Sequence, residues 1–65
     1  MTKKELKALP YDQLVDVCYK QEREFCKWRG QDSGLTYDMF ASIGFPPETL
    51  IDCYLATQKQ MEVRV

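Results

Sequence analysis

The sequence predicts a small all-α protein, a bundle of about four helices of which two are short and two are long. Three observations lead to this prediction. The chain has 65 residues, and only three Gly and three Pro interrupt it. Between these interruptions, apolar residues recur at the spacing of helix faces. No segment alternates apolar and polar residues well enough to predict a strand. We therefore expect one helical domain, residues 1–65, whose small core favours self-association.

The N-terminal half predicts a short helix and then the longest one. Thr2 and Glu5 have the spacing of a capping box, and Pro10 marks the junction between the two helices. Residues Tyr11–Arg29 contain no Gly or Pro, and Gly30 follows them as a helix stop. On a helical projection the apolar residues of this segment span about 200°, roughly twice what a helix on a small monomer buries. Two neighbouring helices, or another molecule, must cover that arc.

After a turn cluster at residues 31–34, the sequence predicts a short third helix. Either Thr36 or Ser33 can cap its start, and Gly44 supplies its end. Phe40 and Ile43 are its expected inward-facing residues. The third helix therefore contributes two apolar side chains to the predicted core.

The remaining chain predicts the second long helix. Pro46 or Pro47 suits its first turn, and we expect it to run from about Glu48 to Met61 or beyond. Its apolar stripe is about 140° wide, which is typical of a helix packed on one side. The stripe consists of Leu50, Ile51, Tyr54, Leu55 and Met61. We expect the two long helices to pack together as the core.

Cysteine usage and the absence of apolar signals indicate a cytoplasmic protein. The chain has three cysteines, Cys18, Cys26 and Cys53. Cys18 and Cys26 are about 12 Å apart along one predicted helix, which is beyond disulfide reach. Cys53 could meet either of them, but reduced thiols are the favoured interpretation. The residues after Met1 lack the apolar segment of a secretory signal, and no run is long enough to span a membrane.

The composition argues against an enzyme. The chain contains no histidine, so it has neither a Ser-His-Asp nor a Cys-His arrangement. Asp12 and Asp16 share a helix face, but they lie where the positive end of the helix dipole favours carboxylates. The sequence has no Gly-rich phosphate loop, and its cysteines lack the spacing of a zinc site. We expect no catalytic residues, no metal, no cofactor and no small-molecule substrate.

A nucleic-acid partner is the weaker alternative. The segment Leu35–Leu55 resembles a helix-turn-helix, since a small Ala and a turn Gly precede a new helix. The Ala-to-Gly spacing is one residue short of the usual pattern, and the second helix would present Glu48 and Asp52 to phosphates. The net charge is −1, and the basic residues Lys20, Arg23 and Lys27 lie on one helix side that also carries acidic residues. That composition is typical of a solvated face.

The charges and aromatics favour a protein partner, either a second copy in a dimer or a larger protein for which the chain is an adaptor or inhibitor. A structural assembly subunit is a third alternative. Residues 30–58 contain no Lys or Arg, which indicates either an acidic binding face or ordinary surface. Glu22 falls in the middle of the apolar arc, where it either turns outward or meets a cation. The predicted partner-binding residues are Tyr19, Glu22, Phe25, Trp28, Arg29 and Phe45.

Overall fold

The computed structural model describes residues 1–31 and 34–63, and over these residues it confirms the predicted all-α bundle. Two helices are short, two are long, and the described residues contain no strand. The helices are α1 (Lys3–Lys7), α2 (Tyr11–Trp28), α3 (Tyr37–Ile43) and α4 (Pro47–Val63). Asp32 and Ser33 of the expected turn, and Arg64 and Val65 of the C-terminal tail, lie outside the described residues.

The helix boundaries follow the predicted caps. In α1 the Thr2 hydroxyl accepts the N–H of Glu5 at 3.2 Å, while the Glu5 carboxylate accepts the N–H of Thr2 at 2.9 Å. The hydrogen bonds that the Thr2 backbone, and secondarily its side chain, make to the Glu5 carboxylate hold the pKa of Glu5 below its ordinary value. Thr36 caps α3, since its hydroxyl accepts the N–H of Met39 at 3.3 Å. The predicted capping box and the Thr36 alternative are therefore confirmed.

The core is built mainly by the long helices, as expected. Helix α4 packs against both α2 and α1, and α3 packs against α2. Helices α2 and α4 run in the same general direction. Cys18 contacts Leu50, and Gln21, later in α2, contacts Met61, later in α4. The buried residues are Leu6, Leu14, Val15, Cys18, Phe40, Leu50 and Ile51. The short helices contribute Leu6 and Phe40, so each of them covers one side of the long pair.

The prediction that Ile43 of α3 lies in the core is wrong. Phe40 is buried, but Ile43 is 52% exposed. The two side chains are about 60° apart around the helix axis, and α3 packs mainly against α2. Helix α3 also ends directly after Ile43, where Gly44 takes a left-handed conformation with φ of 72°. Because the chain leaves the helix at Gly44 and continues to α4, α3 has one buried residue, Phe40.

Candidate protein-interaction surface

The structure places five of the six predicted partner-binding residues in two groups. Tyr19 and Phe45 lie against the ring of Phe40, at centroid distances of 5.8 and 6.0 Å. Phe25 and Arg29 lie together at the far end of α2, and Trp28 stacks on Phe25 there. Glu22 lies one helical turn before this second group. The two groups have different structural settings.

Tyr19 is held inside the fold. Its hydroxyl donates a hydrogen bond to the carbonyl of Leu35 at 3.0 Å, and its ring meets the ring of Tyr37 edge-on at 5.5 Å. The guanidinium of Arg23 lies 5.8 Å from the same ring. These contacts fasten the start of α3 to α2. They give Tyr19 a packing role that accounts for its half-buried state.

Phe45 occupies the corner between α3 and α4. Its ring is tilted against that of Phe40, and its carbonyl accepts a hydrogen bond from the Tyr11 hydroxyl at 2.6 Å. Tyr11 is 44% exposed, and its hydroxyl reaches this corner from the first turn of α2. Phe45 therefore helps to join the α3–α4 connection to the first turn of α2.

The end of α2 carries an ordered aromatic cluster. The rings of Phe25 and Trp28 stack at 5.6 Å with 25° between their planes, and the guanidinium of Arg29 lies 5.5 Å from the Phe25 ring. These residues meet because side chains three and four positions apart are neighbours on a helix. Phe25 and Trp28 are half-buried, and Arg29 is exposed. The cluster thus combines two large rings and a cation at one accessible place.

The helix terminus that holds this cluster is closed by a Schellman motif. The N–H of Gln31 donates to the carbonyl of Cys26 at 2.8 Å, and the N–H of Gly30 donates to the carbonyl of Lys27 at 3.0 Å. Gly30 adopts φ of 78°, a left-handed conformation in which a side chain is strained. The backbone at the C-terminal end of α2, which carries Arg29 and the aromatic cluster, is therefore ordered by these hydrogen bonds.

Glu22 lies next to Cys26 on the same helix face. The Cys26 thiol donates a weak hydrogen bond to the Glu22 carboxylate at 3.7 Å. Burial and then the nearby Glu22 carboxylate raise the pKa of Cys26, while Arg29 lowers it. Among the described residues, no cation lies within ion-pair distance of Glu22. We name Glu22, Phe25, Cys26, Trp28 and Arg29 the α2 end face.

A small cavity lies between α2 and α4, and Glu22 of the α2 end face lines it together with core residues. It has a volume of about 30 Å³, room for about one water. Cys18 and Cys53 both line it, and the Cys18 thiol donates to the carbonyl of Leu50 at 3.4 Å. Burial, and secondarily the nearby Cys53, raise the pKa of Cys18 to about 11. A cavity of this size holds no organic substrate, and its neutral thiol is a poor nucleophile.

Two shallow depressions flank α1. One is lined by Lys3, Lys7, Glu48 and Asp52, which are charged, together with Ile51. The other is mainly apolar, and it opens between α1, the start of α2 and the start of α4. The first depression therefore combines two lysines with two carboxylates, whereas the second offers a mainly apolar surface.

The structure leaves a carboxylate-rich exposed surface on the helix that would read DNA. Helix α3, the turn at Gly44 and helix α4 follow in the order of a helix-turn-helix. Glu48 and Asp52 are both exposed on the first turns of α4. Another side of α4 packs against α1 and α2. A phosphate backbone approaching α4 would therefore meet negative charge.

None of the helices in residues 1–31 and 34–63 is long and apolar enough to cross a membrane. The same residues contain no group of three or more potential ligands arranged to hold a metal ion.

Sequence reasoning missed an apolar pair on α3. Met39 and Ile43 are each 52% exposed, and they lie four residues apart on one side of the helix. The signal was present in the caps, because Thr36 and Gly44 allow only two turns of helix between them. A helix of two turns that packs mainly against one neighbouring helix exposes its other side to solvent. This pair is a second apolar surface, separate from the α2 end face.

Comparison with protein-family models, with curated proteins and with solved structures finds no match to this chain.

Proposed function

We propose that the protein is a small non-enzymatic interaction module, an adaptor or inhibitor of a larger protein, that binds through the α2 end face. The observation that supports this most directly is the stack of Phe25 on Trp28 with Arg29 above it. Tryptophan and arginine are enriched among residues that dominate binding energies, and tyrosine and phenylalanine are enriched in interfaces. The cluster offers such groups on a backbone that is already ordered.

The distribution of burial supports the same surface. On α2 the buried residues stop at Cys18, and on α4 they stop at Ile51. The described side chains beyond these points include Phe25 and Met61, which are only half-buried. An apolar arc that the chain covers at one end and leaves half-covered at the other is suited to a partner.

The matching partner surface has a definite chemistry. It would present a shallow apolar pocket to the rings of Phe25 and Trp28. A carboxylate opposite Arg29 and a cation opposite Glu22 would complete the contact. Rigidity favours such binding, since the Schellman motif at Gly30 has already ordered the end of the helix.

The test is a pull-down with the tagged chain from lysate of its native host, with and without nuclease. We expect one stoichiometric protein that persists after nuclease treatment. Phe25→Ala should lose this protein, because half of the aromatic stack is removed. Ile43→Ala is the matched control, since it removes an apolar side chain from the separate surface on α3. Equal recovery by wild type and Phe25→Ala would contradict the proposal.

A DNA-binding regulator that uses Leu35–Leu55 is the second candidate. Its support is the order of α3, a three-residue connection that begins with left-handed Gly44, and α4. It predicts that recovery in the pull-down collapses with nuclease. It also predicts a duplex affinity that falls steeply as salt rises, because phosphate contacts release counterions. No affinity for duplex DNA at low salt would eliminate it.

A structural assembly subunit is the third candidate. It predicts that the tagged chain recovers mainly untagged copies of itself, or a large assembly, rather than one separate target.

A further inference from the structure

The charges of the α2 end face are arranged symmetrically along the helix. Glu22 and Arg29 are seven residues apart, which is about 10.5 Å of helix. Phe25 and Cys26 lie between them, so the midpoint of the two charges falls between these two residues. The face therefore has a negative end, an apolar centre and a positive end.

These four residues belong to one continuous strip of surface. They occupy positions i, i+3, i+4 and i+7, which fall within about 100° around a helix axis. The observed contacts link them in pairs, since Cys26 donates to Glu22 and Arg29 covers Phe25. Both charges act on the Cys26 thiol in opposite senses, which agrees with its place between them. The strip is half-buried except at Arg29, which is exposed.

The negative end of this strip is uncompensated within the described chain. The preceding turn of α2 carries an ion pair, Asp16 with Lys20 at 3.0 Å. Glu22 has no such partner among the described residues, and its carboxylate accepts a weak hydrogen bond from the Cys26 thiol. A half-buried carboxylate without a cation gains from an incoming positive group.

We propose that a second copy of this chain occupies the α2 end face. The two α2 helices would run antiparallel about a twofold axis that passes between Phe25 and Cys26. In this arrangement Glu22 of each chain meets the partner's Arg29, and the apolar centres cover each other. A parallel arrangement would place Glu22 against Glu22 and is therefore disfavoured. This inference rests on the proposed function, because it names an occupant of the same surface.

A second copy fits this face because the strip is complementary to itself. A twofold interface requires each patch to match its own rotated image, and the order negative, apolar, positive meets that condition. Association also adds apolar cover to a chain whose described core has only seven buried residues. A larger protein that bound the same face would compete with the second copy.

The test is charge reversal, measured by sedimentation equilibrium over a range of protein concentrations. Glu22→Arg and Arg29→Glu each place like charges opposite one another, so each should weaken self-association at least about tenfold. The double variant E22R/R29E should restore it, since the pairs are re-formed with opposite polarity. The two single variants mixed one to one should associate with each other, although neither self-associates well. Lys27→Glu is the matched control on another side of α2 and should have little effect.

Each outcome decides the inference. Wild-type chain that stays monomeric at every concentration overturns it, and so does a dimer that all the reversals leave unchanged. Circular dichroism of the variants checks that the helices are intact. Association of the two mixed single variants would also show that both are folded. A monomeric result leaves the proposed function standing, because the Phe25→Ala pull-down tests that function separately.

Thiol crosslinking provides a second measurement of the same geometry. Cys26 lies beside the proposed axis, so a short bismaleimide should join two chains through it. Cys26→Ser should remove the crosslinked dimer, whereas Cys53→Ser, at an exposed cysteine on α4, should retain it. A crosslinked dimer that persists without Cys26 would contradict the proposed axis.

Discussion

The first turns of the two long helices are packed, and their last turns are not. Leu14 and Cys18 on α2, and Leu50 and Ile51 on α4, are at most 5% exposed. Phe25 on α2 and Met61 on α4 are apolar too, yet they are only half-buried. We call the first region the core end and the second the open end. The same pair of helices therefore changes from a buried core to a half-covered surface along its length.

The short helices explain this difference. Leu6 of α1 is fully buried, and Phe40 of α3 is also buried. Helix α1 packs on the N-terminal part of α4, and α3 covers α2 near Tyr19. Both covers lie at the core end. Packing is therefore concentrated at the core end of the bundle, and the surface that we propose for binding lies at the open end.

The largest expected effect comes from a matched pair of truncations. Leu14→Ala should lower the free energy of unfolding by about 2–5 kcal/mol, because it leaves a cavity in the core end. Met61→Ala should lower it by less than about 1 kcal/mol, since the side chain has little burial to lose. Urea denaturation followed by circular dichroism measures both. Equal losses for the two variants would show that the open end is as well packed as the core end.

At high pH, substitution of the core-end cysteine and of the open-end cysteine should affect the free energy of unfolding differently. The pKa of buried Cys18 is raised from 9.0 to about 11, so the unfolded chain releases this proton first as pH rises. Stability is therefore complete below pH 9.0 and falls between pH 9.0 and about 11, by about 2 kcal/mol in total. Cys18→Ala should lose this fall, whereas Cys26→Ala at the open end should retain most of it. Urea midpoints measured across that pH range provide the comparison, and an identical pH dependence of wild type and Cys18→Ala would refute the assignment.

The elements of the fold could be predicted from the sequence because local chemistry determines them. Thr2, Thr36 and Gly44 mark helix ends through hydrogen bonds and backbone angles that involve only their neighbours. The long helices follow from uninterrupted apolar periodicity in the same way. Helix α2 begins at Tyr11 as predicted, and its expected last residue, Arg29, is the C-cap. Local signals were sufficient wherever the interaction itself is local.

Which side chains share a surface could not be predicted, because that depends on how far the short helices reach. Tyr19 and Phe45 were grouped with Trp28 on composition, but both pack on Phe40 at the other end of the molecule. Ile43 was placed in the core, and the turn at Gly44 leaves it exposed. In each case the deciding contact joins residues from different helices. A helical projection of one segment does not contain that information.

A substitution at the α3 turn should have an intermediate effect. Gly44→Ala places a side chain at φ of 72°, although nothing lies within 4 Å of the added carbon. The cost is therefore conformational, about 1–2 kcal/mol for a left-handed residue that is not Gly. Gly34→Ala, which also has open space at φ of 68°, is the matched control outside the helices. A larger loss at Gly44 than at Gly34 would sharpen the comparison, because it would show that the core end depends on the α3 cover.

The smallest expected effect lies at the boundary between the two ends. Asp16 and Lys20 form an ion pair with 44% and 73% of their side chains exposed, and it is the one ion pair within the described residues. Lys20→Gln should lower the free energy of unfolding by a few tenths of a kcal/mol, since water and salt screen such a pair. The loss should disappear at about 1 M salt, where the screening length is about 3 Å. A loss above about 1 kcal/mol would mean that surface charge, in addition to packing, stabilises the fold at this boundary.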